Sequence, residues 1–346
     1  LSMGPRLEMF ENEMAKYTGR KYAVGVNSGT SGLHLSVRAL GIQEGDEVIT
    51  TPFSFIASAN CILFEKAKPV FVDIDEESFN INPHLIEEKI TKKTKAVLPV
   101  HVFGVPCSMD NILQLSKKYR LKIIEDACEA IGAKFKKKKV GSFGDTSVFA
   151  FYPNKQIATG EGGMVLVDNK QQAKIIRSMR NQGRGSGKSG FDHIRLGYNY
   201  RLDEMSAALG LMQLRRIEEI NEKRKEVALK LNESLSGIEE LELPYNPSES
   251  ERSWFVYIVR FSEEVNRDEI PDYLRLKGVQ TRPYFSPIHL TKFYRKKFGY
   301  CEKSFPIAEK VSKATLALPF FNQLSDKEIA YITVALKKAI VKLKKS

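Results

Sequence analysis

A chain of 346 residues with 42% hydrophobic content can bury a substantial core in more than one domain, which excludes a disordered chain and a small disulfide-stapled scaffold. Lysine and arginine outnumber the acids 54 to 42, and the resulting +12 invites an anionic partner such as nucleic acid, a membrane surface or a phosphorylated small molecule. No uncharged apolar run approaches the roughly 20 residues of a membrane span. The N-terminus LSMGPRLEMF lacks the basic-then-apolar order of a signal peptide. Cys61, Cys107, Cys128 and Cys301 show no CxxC spacing, and the first three lie in apolar segments, so the expectation is a cytoplasmic protein with reduced thiols.

In chain order, short β-branched runs then alternate with amphipathic stretches. The strand candidates are YAVGV (22–26), EVITT (47–51), PVFVDI (69–74), KAVLPV (95–100), LKIIED (121–126), TSVFAF (146–151) and GMVLV (163–167), with helices such as 31–40 and 109–119 between them. This is the pattern of repeated βαβ units and predicts an α/β fold with a mostly parallel seven-stranded sheet. Such sheets carry their functional groups in the loops after the strands' carboxyl ends. The basic run Lys136 to Lys139 lies between GAKF and VGSF and reads as a solvated hairpin turn. Apolar residues recur every three or four positions over 202–235, which predicts one long helix linking two domains. After the turn-rich 244–250 come SWFVYIVRF, a helix near 268–277, VQTRPYF and a helix over 326–344, the pattern of a smaller α+β C-terminal domain. The expected division is a large domain over 1–213, then the linking helix and small domain over 214–346.

Three segments carry chemistry. In NSGTSGLHLSVRAL (27–40) a strand ends in a small-residue turn and a helix starts at once, so the N–H groups of Gly29, Thr30 and Ser31 offer an anion site, although Ser and Thr also cap helices for purely local reasons. KIIEDACEAIGA (122–133) delivers two adjacent acids, Glu125 and Asp126, at a strand end. Alternation along a strand lets only one of them enter a site there, and a buried carboxylate needs a cationic partner. TSVFAFYPNKQIATGEGGMVLV (146–167) places Lys155 in a turn between two apolar strands, where an amine can serve as nucleophile for a Schiff base.

Together these segments resemble the fold-type-I pyridoxal-phosphate (PLP) enzymes, and in detail the DegT/DnrJ/EryC1/StrS sugar aminotransferase family. The resemblance runs through SMGP (2–5), NSGTSGLHL, DEVITTPFSFIASAN (46–60), PVHVFGVPCSMD (99–110), EDACEAIGA, FYPNKQIATGEGGM, GYNYRLDEMSAALGLMQL (197–214), TRPYFSPIHL (281–290) and LALPFF (316–321). It implies Lys155 as the Schiff-base lysine and acid/base, and Asp126 as the partner of the cofactor's ring nitrogen. Phe55 would stack on the ring, Glu129 would lie near it, and the turn at Gly29, Thr30 and Ser31 would hold the phosphate. Asn199 would reach the phosphate of a neighbouring subunit, which implies a homodimer. Tyr152 lies beside the lysine as a substrate candidate, Tyr284 and His289 match the C-terminal segment that closes over the site, and Arg180, Arg184 and Arg201 lie near the motifs as candidates for a nucleotide diphosphate. Two departures stand out. Ala150 replaces a serine that often binds phosphate in the family, and relatives carry further residues before SMGP, so the natural start is expected upstream.

The implied reaction transfers an amino group from glutamate to a nucleotide-linked 3- or 4-keto-deoxysugar, through the pyridoxamine-phosphate form, in aminosugar and cell-surface polysaccharide biosynthesis, with neither nucleic acid nor membrane as partner. Alternatives are a sugar dehydratase, whose branch carries His where this chain has Lys155, and a DNA-binding regulator suggested by the charge, for which the sequence shows no helix-turn-helix or zinc pattern. A desulfurase or lyase on the same fold would need a reactive thiol on a mobile loop.

Overall fold

The computed structural model describes residues 2–185 and 192–344. Its main sheet has seven strands: β1 (Tyr22–Val26), β2 (Glu47–Thr50), β3 (Lys68–Phe71), β4 (Thr94–Val97), β5 (Lys122–Asp126), β6 (Thr146–Ala150) and β7 (Gly163–Val167). Across the sheet they run β1-β7-β6-β5-β4-β2-β3, with β7 antiparallel to both its neighbours and the other pairs parallel. The fold is thus α/β with a mostly parallel sheet, as the alternating pattern predicts. Two strands end well short of expectation. The regular ladder of 95–100 stops at Val97, since Pro99 has no N–H to donate, although Leu98 N–H still reaches Ile49 and Val100 still bridges Asp126. The segment 69–74 ends at Phe71, and Ile74 turns aside to pair with Ile81.

Both sheet faces are covered, which explains the continuous apolar runs. On β7, Val165 and Val167 pack with Leu33, Leu35 and Val37 of α2 (Gly29–Ala39), while Met164 and Leu166 pack with Leu7, Phe10 and Met14 of α1 (Pro5–Thr18). Each fully buried side chain of this kind is worth about 1.5–3 kcal/mol, so a one-residue slip in register would be prohibitive.

The single helix expected over 202–235 is two. Glu204–Leu214 packs in the core beside Phe10, whereas Val227, Leu231 and Leu235 of Ile217–Leu235 belong to a second core. The break at Arg215 and Arg216 re-aims the chain so that one amphipathic stretch serves both. That second core lies under an antiparallel sheet of β8 (Leu241–Glu242), β9 (Tyr257–Phe261) and β10 (Thr315–Leu318), and against a helix over Asp326–Leu343. VQTRPYF forms no strand: Pro283 interrupts it, and Arg282 makes one bridge to Ala317. The basic run is a hairpin of Lys134–Phe135 with Lys138–Lys139 around Lys136 and Lys137, both at positive φ. It is less free than expected, since Lys134 pairs with Glu251 (2.8 Å), Lys136 with Asp110 and Lys139 with Glu218 (3.2 Å).

Two guanidiniums that donate to backbone carbonyls, Arg224 buried and Arg252 partly exposed, stitch the cores together. Arg224 donates to the carbonyls of Trp254 and Phe255, and burial pulls its guanidinium down to about 10. Arg252 donates to the carbonyls of Tyr245 and Phe103 and stacks 3.9 Å from the Trp254 ring centre. Between them Ser253 N–H meets the Gly104 carbonyl at 3.0 Å. Gly104 has φ +82°, and a Cβ there would sit 1.6 Å from the Ser253 carbonyl oxygen. Neither backbone can yield. Gly104→Ala is therefore expected to cost about 3 kcal/mol or more, read as a clear fall in the thermal unfolding midpoint.

Candidate active site

At the carboxyl ends of β5 and β6 and the start of α2 lies an open cavity of about 470 Å³. It collects Gly29, Thr30, Phe55, Asp126, Glu129, Tyr152, Lys155 and Tyr284, all anticipated from the sequence. Lys155 follows β6 by five residues, and its Nζ lies 3.5 Å from Glu129 Oε1 and 4.2 Å from the centre of the Phe255 ring. The amine is thus flanked by a carboxylate and an aromatic face, two surroundings that fix a cation in position.

The two acids of β5 part as strand alternation requires. Glu125 turns away, fully buried, and accepts the N–H groups of Gly141 (2.7 Å), Phe143 (2.6 Å) and Gly144 (2.6 Å) together with His101 Nε2 (3.2 Å). Burial alone would raise its carboxyl, but His101 and these backbone donors hold it below the usual range. Cys107 N–H donates to His101 Nδ1 at 3.0 Å, which leaves Nε2 as the ring's contact with Glu125. Asp126 faces the cavity. Its Oδ2 accepts from Ser58 Oγ (2.8 Å) and its Oδ1 from Cys128 N–H (3.2 Å), a fixed carboxylate with lone pairs left for a cationic ligand.

Glu129 is buried, accepts the Phe103 N–H at 2.9 Å, and is pushed up by that burial against the opposing pull of Lys155 and the Phe103 amide. Phe103 donates from a left-handed conformation (φ +53°), so local strain is spent in aiming its N–H at this carboxylate. Lys155 therefore sits between a carboxylate held from one side by backbone and an aromatic ring held from the other by the Arg224 clamp.

At the start of α2, Ser31 does not serve as expected. Its N–H is bonded to the capping Ser28 Oγ (3.1 Å), and its own hydroxyl donates to Asn27 Oδ1 (2.7 Å). The amides left for an anion are those of Gly29 and Thr30, which line the cavity. A Cβ at Gly29 would lie 2.7 Å from Ala150 Cβ, so the bare backbone and the small residue are matched.

Other expectations are corrected. His289 is fully buried outside the cavity, its Nε2 3.0 Å from Glu309 Oε1 and its ring against Phe305, so it supports the small domain instead of meeting substrate. Arg180 is buried against Glu11 and the Gly25 carbonyl (2.6 Å), and Arg201 donates to Asn181 Oδ1 (3.2 Å). Asn199 is no such case: it is expected to serve a neighbouring subunit, and it is exposed and outside this chain's own cavity. Cys128 does line it, contrary to its apolar sequence setting, but burial and the neighbouring Asp126 keep its thiol well above the ordinary range and so protonated.

Sequence reasoning missed Ser58, Phe255 and Arg282. Ser58 stands three residues after Phe55 and could have been sought as a helix-borne partner for a buried acid. Phe255 reads as one more strand residue, and nothing local marks it.

A model of the DegT/DnrJ/EryC1/StrS aminotransferase family matches residues 1–337. GDP-perosamine synthase of Escherichia coli O157:H7 is 39% identical over 332 residues, covering 96% of this chain and 89% of that protein. The X-ray structure of S. venezuelae DesV in complex with a ketimine intermediate superposes with TM-score 0.92 at 34% identity, over 97% of this chain and 90% of that one. A Streptococcus pneumoniae protein solved in its PLP form superposes with TM-score 0.94 at 27% identity, over 99% and 93%. Fold, cavity and sequence agree along almost the whole length: this chain belongs to the DegT/DnrJ/EryC1/StrS aminotransferase family.

Proposed function

We propose that the protein is a PLP-dependent aminotransferase that moves an amino group from glutamate to a nucleotide-linked keto-deoxysugar, and that it works as a homodimer. The observation that carries this reading is the convergence, in one cavity, of the Lys155 amine, the fixed Asp126 carboxylate and the free amides at the start of α2. This donor set suits PLP: an amine for its carbonyl, a carboxylate for its ring nitrogen and a helix N-terminus for its phosphate. When bound, the cofactor supplies a carbonyl that captures amines and a ring that stores the charge left by breaking a C–H bond next to nitrogen.

The chain's own residues divide the remaining work. Gly29 and Thr30 anchor an anion with backbone N–H groups, which cost no side-chain entropy. Asp126, held by Ser58 and Cys128, keeps a protonated nitrogen protonated. Phe55, largely exposed on the cavity wall, offers an aromatic face. Lys155 Nζ is the movable base that takes a proton from the donor's Cα and returns it on the other side of the exchange. Glu129 fixes that nitrogen between strokes. A partner subunit is supported by the exposed stripe Met205, Leu209 and Met212 on one helix face and by the exposure of Asn199.

The test is spectroscopic. Protein loaded with PLP should lose the cofactor's visible band on adding glutamate, with 2-oxoglutarate released, and regain it with one member of a panel of nucleotide ketosugars. No glutamate-dependent change would overturn the aminotransferase reading; bleaching without recovery on any ketosugar would overturn the acceptor. Loss of water from the sugar without net amino transfer would favour the dehydratase branch.

A further inference from the structure

The cavity's charges are not balanced in pairs. Of its lining residues two are basic, Lys155 and Arg282. Lys155 has Glu129 at 3.5 Å. Arg282 has no carboxylate within ion-pair distance among the described residues, although its backbone is tied to Ala317 by hydrogen bonds in both directions (3.2 and 2.8 Å). An exposed arginine at the cavity lining, on a fixed backbone and with no side-chain hydrogen bond or ion pair among the described residues, is suited to receive a planar or tetrahedral oxyanion.

Its place in the cavity says which oxyanion it does not take. Two residues on, Tyr284 packs on Phe103 with ring centres 6.1 Å apart, and Phe285 stacks on the same ring at 5.2 Å. Phe103 is the residue whose N–H holds Glu129, and Glu129 holds Lys155. The 282–285 segment therefore borders the cavity at its Lys155 end. The anchoring amides of Gly29 and Thr30 belong to a different stretch of the lining, where a Cβ at Gly29 would meet Ala150 and Cys128 and one at Gly163 would meet Ser28. One anion seat lies at the helix start, and a separate cation lines the cavity beside Tyr284 and Phe285.

We propose that Arg282 is a specificity-determining residue that takes an oxyanion of the substrate bound beyond Lys155: the carboxylate of the amino donor or the diphosphate of the nucleotide acceptor. This rests on the aminotransferase reading above. Arg180 cannot fill this role, because its guanidinium is held inside the fold by Glu11 and the Gly25 carbonyl. Replacing a forked, charge-assisted pair of hydrogen bonds by a neutral side chain predicts substrate binding about tenfold to a hundredfold weaker. Cofactor binding should not change, since the amides that would anchor it belong to a different stretch of the lining from Arg282.

Arg282→Gln and Arg282→Lys are the variants, each loaded with PLP and checked for an unchanged cofactor band and unfolding midpoint. Glutamate is titrated against the band, and UDP and GDP are titrated by calorimetry. If Gln weakens glutamate alone by tenfold or more, with Lys between it and wild type, the residue reads the donor carboxylate. If it weakens only the nucleoside diphosphates, it reads the diphosphate. Unchanged affinity for both overturns the proposal while the wild-type glutamate response still stands. Absence of that response in the wild type would instead overturn the aminotransferase reading itself. Weakened PLP binding in the Gln variant would also overturn the proposal, by placing Arg282 at the cofactor seat.

Discussion

Lys155→Ala is expected to lower amino transfer by more than about ten-thousand-fold, since it removes both the amine that captures the cofactor and the base that moves the proton. Among the described residues no second amine lines the cavity to replace it, because the other basic lining residue is an arginine that does not give up its proton. The fold should survive, for the side chain meets Glu129 and Phe255 and contributes nothing to either core. Stability should nevertheless change in a pH-dependent way. Glu129 is already pushed up by burial, and losing the ammonium raises it further. An acid whose folded value lies above its unfolded one binds protons more tightly when folded. Its contribution is complete below the ordinary carboxylate range and is lost as pH rises through the folded value. The variant should therefore match wild type in acid and fall progressively below it as pH rises, measured by thermal unfolding across pH. A variant that transfers amino groups within tenfold of wild type would assign the nucleophile elsewhere.

What could be read from the sequence and what could not divide along one physical line. The main sheet is legible because each strand is a short β-branched run whose faces are both buried, and that pattern is local. Gly29, Asp126 and Lys155 are legible because each stands at a strand end next to a turn, where such sheets display their chemistry. Misreadings arise where a residue's role is set by a partner elsewhere in space. Ser31 fits the anion-site pattern, but Ser28 captures its amide. His289 fits a closing segment, but Glu309, on another helix, takes its ring. Arg180 is near the motifs in sequence and is claimed by Glu11 in space. Phe255 is invisible because its position under Lys155 is imposed by Arg224, 31 residues away. The helix over 202–235 fails for a related reason: its apolar period is continuous, and only the existence of two separate cores makes a break necessary.

The distribution of charge follows the same line. A net +12 suggests a field for anions, yet the hairpin lysines are matched to Asp110, Glu218 and Glu251, so that part of the excess is spent on surface pairs worth little individually. The cations that line the cavity among the described residues are two, Lys155 and Arg282, and they stand out by their place there instead of by local density of charge.

Asp126→Asn is expected to slow amino transfer by roughly a hundredfold to several thousandfold while leaving the unfolding midpoint almost unchanged, because removing one member of an ion pair within a site costs about 3–5 kcal/mol. The substituted amide keeps one oxygen for Ser58 or for the Cys128 N–H, so the local structure has a way to stay satisfied. What it loses is the negative charge that keeps a ring nitrogen protonated, and with it the ring's capacity to hold charge during proton removal. Ser58→Ala should produce a smaller loss of about tenfold, by leaving the carboxylate intact but less firmly aimed. The neighbouring acid provides the discriminating control. Glu125→Gln would leave three backbone N–H groups and His101 competing for a single carbonyl oxygen, so it should destabilise the fold by several kcal/mol with little effect on the turnover of folded enzyme. The two variants remove the same charge one residue apart, and strand alternation requires that one report in turnover and the other in stability. If Asp126→Asn lost stability and Glu125→Gln lost turnover, the assignment of which face of β5 carries the chemistry would be reversed.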